Sequence, residues 1–395
     1  MARRRIGILT GGGDVPGLNS VIKSVTYRGW ENGLEVVGIR KGFEGLTHVN
    51  LDDPESEARY VIELNRDNTR TIDRHGGTIL HSSRVGPTTV LAPPPHLAGR
   101  NLPTTQGKGG TYYDLTEVVL ENLERLGLDA LIAIGGDGTL KSAAQLDRRG
   151  VKVMGIPKTM DNDVRSTEYC VGFSTAITRA TAAIDRQRTT IGSHERVGIF
   201  RVFGRDAGFT ALYTAHVTSN RCVIPEYPVD LEKLIHLLIT EKKENPSNYV
   251  LVILSEGATW KGYEVQEYGR PDALGRRKKA SVAEVLSDEI QRRSGEETIV
   301  SDLTYDLRSG DPDFIDKLVA STFGTMALDA LLDGVHGQMS ALVNGCYELV
   351  PIPDPALGPR KVDVATMYNV DRYRPLYGNK RHHPLFLNRV VPPAD

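Results

Sequence analysis

Short apolar runs rich in β-branched residues, at 6–9, 36–39, 128–134, 151–156, 197–202 and 249–254, alternate along the chain with stretches of helical pattern. A strand that is apolar throughout has to be covered on both faces, and strands joined by helical crossovers run parallel. The alternation therefore predicts an α/β fold with mainly parallel sheets flanked by helices. Ligands of such folds bind beyond the carboxyl ends of the strands, so the residues that follow each run are the ones to read for chemistry.

Three of those exits carry it. Gly11-Gly12-Gly13-Asp14-Val15-Pro16-Gly17-Leu18-Asn19 follows the first run, and Gly135-Gly136-Asp137-Gly138-Thr139 follows 128–134. Glycines after a strand let backbone approach a phosphate, and the N–H groups that open the next helix supply positive potential. Asp137 can hold Mg2+, directly or through water. The third exit, Pro157-Lys158-Thr159-Met160-Asp161-Asn162-Asp163, places two carboxylates two residues apart. One can take a proton from a sugar hydroxyl while the other orients the sugar or the metal. Together the exits read as a phosphoryl-transfer site.

These segments, with Phe203-Gly204-Arg205-Asp206-Ala207-Gly208 and Tyr305-Asp306-Leu307-Arg308, resemble the phosphofructokinase family in content, order and spacing from Ile6 to about Gly334. The resemblance implies that Asp161 is the general base for the sugar 1-hydroxyl, with Thr159 and Asp163 as sugar and metal contacts. Lys158 belongs to the same catalytic segment. It further implies that Asp137 holds Mg2+, that Gly12, Gly136, Gly138 and Thr139 line the nucleotide phosphates, and that Arg84 in His81-Ser82-Ser83-Arg84 neutralises the transferred phosphoryl. Fructose 6-phosphate is expected to meet Arg196, Phe203, Gly204, Arg205, Glu256, Tyr305 and Arg308. Guanidinium groups suit the task because they hold a dianionic phosphate through paired hydrogen bonds at any working pH. In the family the arginine matching Arg196 comes from a neighbouring subunit, which implies a homodimer or homotetramer with a shared sugar site.

Two positions bear on the donor. Gly138 favours ATP, because pyrophosphate-dependent relatives carry aspartate there, in the space of the nucleotide α-phosphate. Lys158 resembles the pyrophosphate branch, since a lysine can bind phosphate as a compact charge. ATP is the expectation and pyrophosphate the alternative. Ile299 and Tyr305 replace an arginine and a histidine of the short bacterial enzymes, so another acceptor such as sedoheptulose 7-phosphate stays open, as does a silent sensor. Arg188 and Lys23 match the bacterial allosteric pocket, whereas Tyr27 stands in place of a second basic residue. NAD and lipid kinases share Gly-Gly-Asp-Gly but lack the 157–163 segment and the paired sugar arginines.

Length and charge fit this reading. The 395 residues suffice for two Rossmann-like lobes with the active site in the cleft between them. Residues 1–172 with 310–365 are expected to form the nucleotide lobe, 173–309 the sugar lobe, and 366–395 a packed extension or subunit contact. A net charge of -2 lacks the basic field of a nucleic-acid binder. No run reaches transmembrane length, and a cytoplasmic enzyme is expected. Cys170, Cys222 and Cys346 read as buried free thiols. Residues 174–188 read as the helix entering the second lobe. Residues 86–112 read as a long surface loop beside an Arg84 strand, with Lys108-Gly109-Gly110 near the nucleotide. The tail carries Arg372, Arg374, Lys380, Arg381, Arg389 and two histidines, His382 and His383.

Overall fold

A computed structural model describes residues 4–107, 109–263, 267–268, 278–279, 281–378, 381 and 385–386. The first sheet has seven strands in the order Cys346–Pro351, Gln338–Val343, Val153–Pro157, Ala130–Gly135, Arg5–Thr10, Glu35–Ile39, Val61–Leu64. The inner five pair in parallel and the strand at each edge is antiparallel. Its central strands alternate between two cores with period two. Ile6, Ile8, Ile132 and Ile134 face one core, shared with helices Leu18–Glu31 and Phe314–Leu332. Leu9, Leu131 and Ala133 face the other, under helices Thr116–Arg125 and Asp137–Arg148. Apolar residues on both faces are the reason these strands lack a polar alternation.

The second sheet is wholly parallel, in the order Thr298–Asp302, Val197–Val202, Val250–Ser255, Arg221–Val223. The mixed α/β architecture with mainly parallel sheets is as the sequence predicts. The helix Phe173–Ser193 joins the two sheets, and its Phe173, Ala176, Ala180 and Ile184 lie in the same apolar cluster as residues of both. This helix starts one residue before the predicted 174–188 stretch and runs five beyond it.

That helix opens at Gly172, whose φ of 103° suits glycine but which has no side chain to accept the first free N–H groups. Asp316, from the first turn of Phe314–Leu332, accepts instead from Gly172 N at 2.7 Å and Thr175 N at 2.8 Å, and also from the hydroxyls of Tyr169 and Thr175. A carboxylate at a helix N-terminus is favoured electrostatically as well. Asp316→Ala leaves these buried donors unpaired and is expected to cost about 3 kcal/mol or more, read as a shift of the urea midpoint. A shift worth under about 1 kcal/mol would contradict the assignment of this joint.

Three local expectations are corrected. Residues 86–112 are not a plain loop: Thr104–Gly107 and Gly110–Tyr113 form a hairpin, and Val90 bridges to Tyr113. Val90, Leu97, Leu115 and Val118 give the segment a small core of its own. No strand forms at Arg84, because only Ser83 bridges to Gly11 there. Cys170 and Cys222 are buried, but Cys346 is exposed at the start of an edge strand. Lys108, Lys380, His382, His383 and Arg389 lie outside the described residues.

The chain after Pro351 crosses to the second sheet. Val362 N donates to Glu226 at 2.8 Å, Tyr368 Oη to Cys222 O at 2.7 Å, and Cys222 N to Tyr373 O at 2.9 Å. No described helix is long and apolar enough to cross a membrane.

Candidate active site

The three exits, two of them glycine-bearing, lie side by side because neighbouring parallel strands end together. Gly11 N donates to Ile134 O at 2.9 Å, and Lys158 N to Gly135 O at 3.0 Å. A Cβ at Gly11 or at Gly135 would come within 2.4 Å of Thr139, whose side chain is 8% exposed and fills the gap between the two exits. The surface between the two exits is therefore backbone. Gly136 caps the helix Asp137–Arg148 without a side chain, leaving its first N–H groups open to an anion. Gly138 is exposed in the first turn, and a Cβ there would meet nothing within 4 Å.

Gly12 and Arg84 line a cleft of about 440 Å³ together with Gly13, Asp14, Ser82 and Arg308. Ser82 Oγ donates to Gly12 O at 2.6 Å, which holds the glycine turn open with φ 82° at Gly12. Lys158 is 3% exposed and donates through Nζ to Gly13 O. Burial, with Arg308 adding to it, pushes its ammonium down to about 8. It thus ties its own strand exit to the Gly12–Gly13 turn from beneath.

Asp161 follows three residues after Lys158, within reach of the charges of Glu256, Asp206 and Arg308. Its Oδ1 is buried and has no hydrogen-bond partner. Its backbone N–H donates to Thr159 Oγ1 at 3.2 Å, so Thr159 turns the chain beneath the carboxylate. Burial raises its pKa, and Asp163, Glu256 and Asp206 push in the same direction. Asp163 is raised by burial and by Asp137. Asp137 is raised by burial, against the pull of Arg165. Asp137 and Asp163 are therefore neighbouring carboxylates, with Arg165 pulling against the shift of the first and Arg360 against that of the second. Among the described residues no cluster of three His, Cys, Asp or Glu could cage a metal. The pair fits Mg2+, which is usually held by one or two carboxylates plus substrate phosphates and water.

Phe203, Gly204, Arg205, Glu256, Tyr305 and Arg308, the residues expected to meet the sugar, gather beyond the carboxyl ends of the second sheet. Phe203 and Tyr305 meet edge to face at 5.8 Å, with Arg308 5.8 and 5.7 Å from their ring centres. Gly204 has φ 126° and accepts from Gly257 N at 3.0 Å, which sets Arg205 and Glu256 side by side. Arg205 Nε is buried and unpaired, a donor suited to a phosphate. Arg308 bonds Asp14 at 2.8 Å and so ties this cluster to the glycine loop. Sequence reasoning gave neither Asp14 nor Ser82 a role; their only signal was adjacency to matched motifs.

Arg196 does not join this group. It precedes the strand Val197–Val202, pairs with Glu297 at 2.7 Å, and lies at the far end of that strand from Phe203, about 23 Å away at 3.3 Å per residue.

Comparison with known proteins agrees with this geometry. The phosphofructokinase family model matches residues 5–331. An ATP-dependent 6-phosphofructokinase 3 of Streptomyces coelicolor is 38% identical over 89% of this chain and 94% of that protein. A pyrophosphate-fructose 6-phosphate 1-phosphotransferase of Amycolatopsis methanolica is also 38% identical, over 86% of this chain and 90% of its own length. Among solved structures, a pyrophosphate-dependent phosphofructokinase of Nitrosospira multiformis shares the fold with a TM-score of 0.76 at 15% identity, covering 100% of this chain and 94% of that one. Family match, motif order and clustered exits lead to one conclusion: this chain belongs to the phosphofructokinase family.

Proposed function

We propose that the protein is an ATP-dependent 6-phosphofructokinase, a cytoplasmic glycolytic transferase that converts fructose 6-phosphate to fructose 1,6-bisphosphate. The observation that carries this reading is Asp161: an unpartnered carboxylate oxygen on the exit bonded to Gly135, within reach of the charges of Arg308, Glu256 and Asp206. A hydroxyl brought to that oxygen gives it the hydrogen bond it lacks and a place for the proton.

In the proposed step the sugar 1-oxygen attacks the γ-phosphorus in line, its proton passes to Asp161, and the bond to the ADP oxygen breaks. The backbone N–H groups at Gly136 and Gly138 and the Gly12 turn hold the donor phosphates, with Thr139 fixing that backbone from beneath. Arg84 reaches the transferred group from the rim of the cleft. Arg205 and Arg308 hold the 6-phosphate, Phe203, Tyr305 and Gly204 shape its site, and Glu256 and Thr159 orient the sugar. Mg2+ held by Asp137 and Asp163 would offset phosphate charge. Most of the barrier is lowered by positioning and fixed charge. Arg196 serves the sugar site of a neighbouring subunit in a homodimer or homotetramer, which its distance from this chain's own cleft supports. Residues 1–172 with 310–365 would then act as the nucleotide lobe and 173–309 as the sugar lobe.

A second donor has one observation in its favour, the buried Lys158 under the glycine loop. The test is formation of fructose 1,6-bisphosphate with Mg2+ and either ATP or pyrophosphate, with sedoheptulose 7-phosphate as a parallel acceptor. ATP is expected to support turnover and pyrophosphate not to; turnover with pyrophosphate alone would transfer the donor assignment to Lys158. Chelation of Mg2+ is expected to abolish turnover, and added Mg2+ to restore it.

A further inference from the structure

Arg360 lies on the segment that crosses from the edge strand Cys346–Pro351 to the second sheet, where Arg165 Nε donates to Gly358 O at 2.7 Å and Val362 N to Glu226 at 2.8 Å. Its backbone N–H donates to Asp163 O at 2.6 Å. Its guanidinium donates to Asn162 O and stacks on Phe209, 4.5 Å from the ring centre. Asn162 is the residue between the two carboxylates, and it is left-handed at φ 53°. Asparagine enters that region more readily than most residues, but it stays there only when its surroundings hold it. The Asn162 side chain is tied on both sides, its Nδ2 donating to Glu168 O at 2.9 Å and its Oδ1 accepting from Cys170 N at 2.8 Å. On the main chain, the Asn162 N–H donates to Thr159 O at 3.4 Å and Arg360 grips the Asn162 carbonyl. Thr210 Oγ1 holds the preceding Met160 O at 2.9 Å, one residue on from Phe209.

We propose that Arg360 is a positioning residue for the Asp161-Asn162-Asp163 turn, fixing through the Asn162 and Asp163 carbonyls the directions in which the two carboxylates face. Its contacts run to the backbone of the turn and to the Phe209 ring. The inference rests on Asp161 being the base. Its physical content is that a planar guanidinium stacked on a ring offers a fixed donor, whereas a flexible or neutral side chain does not.

The test uses the full-length protein and three variants, Arg360→Gln, Arg360→Lys and Phe209→Leu. Each is assayed for kcat, for KM of both substrates and for thermal stability, with kcat normalised to sites that bind fructose 6-phosphate. Arg360→Gln is expected to lower kcat by about 10- to 100-fold, the scale of a small misplacement of reacting groups, with both KM values kept. Arg360→Lys should recover part of that loss by restoring a donor. Phe209→Leu keeps the arginine but removes its platform, and should lower kcat without raising KM. A wild-type kcat per binding site in Arg360→Gln, with only stability reduced, would overturn the proposal. If that variant does not fold, wild-type kcat in both other variants overturns it. Asp161→Asn run alongside separates the two readings: activity in that variant removes the base itself, whereas loss there with full kcat in Arg360→Gln removes only the positioning role.

Discussion

Asp161→Asn is expected to lower turnover by about three orders of magnitude, within the range for loss of a positioned general base, while fructose 6-phosphate still binds. The same substitution is expected to raise the melting temperature of the ligand-free protein. Asp161 is held among Asp163, Glu256 and Asp206, and burial raises its pKa in the folded state. A carboxyl whose folded pKa exceeds its unfolded value, about 3.9, binds protons more tightly when folded, so its contribution to stability is lost as pH rises above about 4. The neutral asparagine has no such loss. The stabilisation should therefore be larger at pH 8 than at pH 5, and turnover of the wild type should fall as acid protonates the base. Melting curves at both pH values, beside steady-state turnover, check the pair of effects. Near-normal turnover would remove Asp161 from the mechanism, and a lower melting temperature at pH 8 would show that the carboxylate has a partner the apo geometry lacks.

Gly138→Asp is expected to cut kcat/KM for ATP by about a thousand-fold. A carboxylate placed about 4 Å from a phosphate oxygen costs about 4 kcal/mol at an effective dielectric of 20, and each 1.36 kcal/mol is about tenfold in rate. The fold should not object. A Cβ at Gly138 meets nothing within 4 Å, and position 138 is in the first turn of Asp137–Arg148, where a negative charge stabilises by about 0.3–1 kcal/mol. A variant that melts no lower than wild type yet has lost ATP turnover isolates donor recognition from folding. Retained ATP turnover would mean that the nucleotide phosphates do not pass over Gly138.

Much of this site was legible because its parts are local. A glycine run after an apolar strand needs no distant partner to become a phosphate-facing turn, and carboxylates two residues apart share one turn wherever the chain goes. The runs at 128–134 and 151–156 were likewise readable because apolar residues on both faces leave few alternatives to a covered strand, though the strands begin two residues later than the runs. Residues 86–112 misled because their prolines and glycines look like a loop, while the hairpin depends on the cross-strand pairing of Thr104 with Tyr113 and Thr105 with Tyr112.

By itself, then, the sequence determined the α/β architecture, the three chemical exits and the residue types that a phosphoryl transfer needs, since each is written within a few neighbouring residues. Only the tertiary structure decided which of those residues share a pocket. It left Arg196 at the other end of its strand, tied Arg308 to Asp14 across 294 positions and brought Arg360 onto Asn162 across 198. Contacts of that span leave no periodicity or spacing in the chain; they follow from strand order and from the helix Phe173–Ser193 and the crossing segment that hold the two sheets together.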